Sequence, residues 1–179
     1  MPIFNRKKKV TSEELGQGLW LFCKKLSREF YASFSETLEK QGFELNEDQK
    51  FSLAREIAIM NLWIISKALG EDRKALEELH RIYIFGHENF AETEDQKIAF
   101  PIEAKKELHE RYKKYYDAWD DKAGGNQWIL ALTMLECILN EGNPSKKLIN
   151  AELNFLLLTD VLLTMKAVLD FRAGYEVAD

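Results

Sequence analysis

At 179 residues, with 46% hydrophobic and 31% charged side chains, the chain is long enough for one domain and apolar enough to bury a core. A formal charge of −5 argues against general nucleic-acid binding, which calls for a surplus of Lys and Arg. Nine glycines and three prolines are few for a β-rich chain, and Cys23 and Cys137, outside any CxxC pair, read as small buried thiols in a reducing, cytoplasmic setting.

Residues 1–11 form a basic flexible arm in which Arg6, Lys7, Lys8 and Lys9 follow Ile3 and Phe4. Such charges contribute about 1 kcal/mol each beside an anionic membrane, so a weak peripheral contact is one reading and a solubilising tail the other. No apolar h-region follows the arm, because Glu13 and Glu14 come next.

A helical-bundle domain is expected over residues 12–179. Thr11 with Glu14 has capping-box spacing and opens a first helix, from about Ser12 to Gln41, which Gly42 closes. Its seam is Leu15, Leu19, Phe22, Leu26, Phe30, Phe34 and Leu38, at steps of three and four. Asn46 with Gln49 starts a second helix that runs to Gly70. A third covers about Arg73 to Phe90, and the polar loop AETEDQ follows it. Pro101 suits the first turn of a fourth, reaching Asp120. After Gly124-Gly125, Asn126 caps a fifth, QWILALTMLECIL. Ser145, beyond the turn Glu141-Gly142-Asn143-Pro144, caps a sixth that ends near Phe171.

No segment alternates with period two, so no strand is expected. The fold class is therefore all-α: a single-domain antiparallel bundle of about six helices joined by short loops. The second, fifth and sixth are apolar around most of their circumference, which places them in the centre with the striped helices around them. Asp160, Lys166 and Asp170 interrupt the most apolar of these, so it is a core helix and not a membrane span.

His80 and His87 lie at one edge of the third helix's buried face, Leu76, Leu79, Ile82, Tyr83 and Phe90. Seven residues place them about 10.5 Å apart along the axis, too far to share one ion. The single Glu-x-x-His unit, Glu77 to His80, lacks the second unit and the extra glutamates of a di-iron bundle. Neither a metal nor a cofactor is expected.

Charges within apolar helices need partners. Arg55, Glu136 and Asp160 are candidates for an internal ion pair or, on the rival reading, for a polar pocket in an enzyme or ligand-binding protein. The pairs Glu107/Glu110 and Asp117/Asp120, among Lys105, Lys106, Arg111, Lys113 and Lys114, read as a solvated face. The fourth helix offers the partner-binding candidate: Leu108, Tyr112, Tyr115, Tyr116 and Trp119 make an apolar stripe that is almost wholly aromatic. A non-enzymatic interaction or regulatory protein is the leading expectation, with a protein partner or a second copy on that outer stripe.

Overall fold

The computed structural model describes residues 7–87, 91–120, 126–139 and 151–178. Its helices are α1 (Ser12–Lys40), α2 (Glu47–Ala68), α3 (Arg73–Gly86), α4 (Glu94–Asp120), α5 (Asn126–Leu139) and α6 (Ala151–Ala173), and the fold is an all-α bundle. Phe90, Gly124, Gly125 and the segment carrying Ser145 lie outside the described residues.

Local chemistry explains where the helices begin. Thr11 Oγ1 accepts from the Glu14 amide at 3.1 Å, and Glu14 Oε2 accepts from the Thr11 amide at 2.9 Å. Asn46 and Gln49 exchange the same two bonds at the head of α2. Gly42 adopts φ 83, the left-handed turn that releases the chain from α1. The start of α4 corrects the expected boundary. Thr93 and Gln96 form a further box, with Gln96 Oε1 accepting from both the Glu92 and Thr93 amides. The helix therefore begins at Glu94, inside the expected loop, and Pro101 lies within it. A proline there forfeits one backbone hydrogen bond, which the cap and the rest of the 27-residue helix outlast.

One helix takes the centre. Every residue of α2 from Ile59 to Ser66 is buried. The other five form a closed ring around it: α1 touches α3, α3 touches α4, α4 touches α5, α5 touches α6, and α6 returns to α1. This corrects the expectation that α5 and α6 share the middle, since a ring of five leaves room for one rod. Consecutive helices reverse direction, so alternate helices run together. Gly16 and Trp20 of α1 meet Ala75 and Tyr83 of α3 in the same order. Their approach is close: a Cβ on Gly16 would lie 2.7 Å from the Ala75 carbonyl oxygen.

Two short strands are additions to the expected architecture. β1 (Lys8–Val10) pairs in parallel with β2 (Tyr175–Val177), Lys8 opposite Tyr175 and Val10 opposite Val177. Lys8 to Val10 of the expected free arm are thus tied into backbone hydrogen bonds, and Val10 joins the core. Nearby, Arg172 donates to both carboxylate oxygens of Asp72, at 2.8 and 2.9 Å, and to the Tyr175 carbonyl. The end of α6 is thereby pinned to the start of α3.

Candidate functional site

The aromatic stripe of α4 faces inward. Tyr115 is fully buried, Leu108 is nearly so, and Tyr112, Tyr116 and Trp119 pack half-buried against the core. Trp63 of α2 is the reason. Its ring meets Tyr115, Tyr116 and Trp119 edge-on at centroid distances of 5.5–6.0 Å. Lys67 then covers Tyr116 and Trp119 with its ammonium at 5.2 and 5.3 Å. Placing Leu108, Tyr112, Tyr115, Tyr116 and Trp119 on a free outer surface is therefore corrected: the stripe is how α4 grips the central helix.

Arg55, Glu136 and Asp160 are not brought together either. Arg55 pairs with Glu107 at 3.2 Å. Glu136 is exposed and borders a surface hollow of about 390 Å³ with Lys114, Asp117 and Thr133. Asp160 sits on α6 with Oδ2 buried and without a hydrogen-bond partner among the described residues. Burial pushes its carboxyl up to about 7.

The buried ion pair joins Glu56, which had no place among the expected charges, to Arg111, whose expected position on a solvated face is corrected. Glu56 of α2 is only 1% exposed, and Arg111 of α4 clasps it with Nε at 2.9 Å from both oxygens and Nη2 at 2.6 Å from Oε1. That bond raises the guanidinium further above its ordinary range. Each residue lies in phase with the buried side of its own helix, Glu56 between Leu53 and Met60, and Arg111 between Leu108 and Tyr115. The phase was the available signal.

His80 of α3 and His87 at its C-cap do separate work. His87 Nδ1 lies 2.9 Å from the Tyr83 carbonyl oxygen, one turn back on the same helix. His80 reaches inward, with Nε2 2.8 Å from Tyr112 Oη and 3.1 Å from Ser66 Oγ. Ser66 Oγ donates to the Leu62 carbonyl at 2.8 Å and lies 3.2 Å from Tyr112 Oη. One proton arrangement satisfies all three groups: His80 Nε2–H donates to Tyr112, whose hydroxyl donates to Ser66. The serine proton is committed to a backbone carbonyl, so this is a node joining α2, α3 and α4 and not a nucleophile beside its base.

Burial lowers the His80 pKa below 6.5. Below that value the unfolded chain takes up a proton that the folded node resists, so acidification costs stability. His80→Gln, which keeps a side-chain donor, should lose less of its melting temperature than the parent between pH 7 and pH 5. Parallel losses in the two proteins would show that the node is open to water.

Among the described residues, α6 carries the most exposed large apolar side chains, while Leu21, Phe51, Phe85, Ile98 and Ile102 stand on other helices. The core side of this helix is Leu153, Leu157, Val161, Thr164 and Val168. On the outward side, Phe155 is 66% exposed, Leu162 45%, Leu163 62% and Leu169 51%. Phe155, Leu162 and Leu169 recur at seven-residue steps, which keeps them in one line about 21 Å long. Lys166 lies within that line and Asp170 beside it, both exposed. α6 is thus apolar on two faces, and only one of them is used by the ring.

Among the described residues, no group of three His, Cys, Asp or Glu side chains is placed to hold a metal ion, and no helix is long and apolar enough to cross a membrane. The chain matches no family model, no curated protein and no solved structure.

Proposed function

We propose that the protein is a non-enzymatic interaction module whose contact surface is the outward face of α6. The observation that carries this reading is the line Phe155, Leu162 and Leu169, widened by Leu163: four large apolar side chains exposed on one helix, where the others exposed among the described residues, Leu21, Phe51, Phe85 and the pair Ile98 and Ile102, number no more than two to a helix. These four residues present on the order of 450 Å² of apolar surface, within the ~300–600 Å² of the largest patch on a typical monomer, which is often functional. Their regular spacing suits a helix or a flat helical face laid along them, as in helix-in-groove and coiled-coil contacts. Two polar groups of the interior work against a catalytic reading at their positions. Glu56 is sealed by Arg111, and the Ser66 proton is already donated.

Photo-crosslinking tests the surface directly. A benzoylphenylalanine at Leu163 should yield defined adducts, whereas the same probe at exposed Lys106 on α4 should yield few. Equal labelling at the two positions, or none at Leu163 in cells or at high protein concentration, would remove the proposal.

A further inference from the structure

Resting on that reading of α6, we infer that its occupant is a second copy of this chain, laid antiparallel with the two-fold axis passing by Leu162. Self-complementarity argues for a copy: turned about Leu162, the stripe sets Phe155 against Leu169 and Leu158 against the stem of Lys166. An isologous pair covers both stripes at once and, with the flanking Leu158 and the stem of Lys166, reaches roughly 1,000–1,200 Å² in total, the lower end of specific contacts. The line lies about 130° around α6 from Leu157 and Val168, on the solvent side of the helix.

Charge selects the direction. Lys166 lies inside the stripe, four residues beyond Leu162. A parallel pair sets the two Lys166 ammoniums side by side across the seam, and the two Asp170 carboxylates likewise. The antiparallel pair separates the lysines by about 12 Å along the axis, beyond a physiological Debye length, and lays each stem on the partner's Leu158. Phe155 then falls opposite the partner's Leu169, large against smaller at both ends, while Leu162 meets its own copy. Antiparallel helix dipoles act in the same direction.

An interface of this size and composition gives a dissociation constant of about 10–100 µM. Sedimentation equilibrium on the full chain from about 5 to about 500 µM should show an average mass rising from 20.9 kDa towards twice that value. Leu162→Glu, at a half-exposed position, should keep the helical circular-dichroism signal and hold the mass at the monomer value throughout. Direction is read with a short bismaleimide, since Cys23 and Cys137 are both buried. Leu162→Cys should link to itself. Phe155→Cys should not, yet should link to Leu169→Cys when the two variants are mixed. A mass constant at 20.9 kDa across the range overturns the proposal. So does efficient self-linking of Phe155→Cys, which would mean a parallel pair. If the mass stays monomeric while Leu163 still captures a different protein, the second-copy inference fails and the interaction reading survives; if it captures nothing, both fall.

Discussion

Replacing Arg111 with Met should cost about 3–5 kcal/mol. The substitution keeps most of the side-chain volume. What it removes is the guanidinium that makes a carboxylate tolerable at a site only 1% exposed. Glu56 would then be a buried charge with its counterion gone. Urea unfolding at pH 7.5 measures the loss, the midpoint falling with an unchanged slope. A double variant, Glu56→Met with Arg111→Met, should recover to within about 1 kcal/mol of the parent or exceed it, because two apolar residues need no desolvation. A single-variant loss below about 1 kcal/mol would mean that water reaches the pair.

Asp160→Asn should act in the opposite sense and stabilise the protein above neutral pH. The parent carboxyl is pushed from 3.8 up to about 7 by burial. Between those values the folded state keeps a proton that the unfolded state has released. Stability therefore falls as pH rises through that window and stays low above it. Three units of displacement correspond to at most about 4 kcal/mol, so a gain of roughly 2–4 kcal/mol at pH 8 is expected, or about 5–12 °C in Tm. At pH 4 the gain should nearly vanish. His80 contributes the opposite slope over part of the same range, so the two are separated by comparing each variant with the parent at every pH. No gain at pH 8 would place Asp160 in contact with solvent or a cation.

How much of this was legible in the sequence differs from element to element. Thr11/Glu14 and Asn46/Gln49 announced their helices because a cap is a local device, complete within four residues. Thr93/Gln96 has the same spacing, but Pro101 drew the expected boundary to itself, although one proline removes only a single bond from a long helix. The stripe of α4 was correctly apolar and wrongly oriented. Helical phase says which residues share a face; it does not say that Trp63 lies opposite them. The same limit hid the ion pair, since Glu56 and Arg111 each sit in buried phase yet meet across 55 residues of chain. For α6, uniform apolarity suggested the interior. Only the assembled ring makes plain that the interior has one seat, which α2 already holds.

The small parallel sheet has a consequence for how the bundle comes apart. Lys8–Val10 and Tyr175–Val177 staple the front of α1 to the tail of α6, the one seam of the ring that spans the whole order of the chain. Closing a loop that long costs little more entropy than closing one half its length. The backbone bonds, the side chain of Val10, the stacked rings of Phe22 and Phe171 at 4.9 Å and the Arg172–Asp72 pair repay it. The tail of α6 is thereby clasped at several points, so this helix can swing off the greasy flank of α2 only once that clasp has let go.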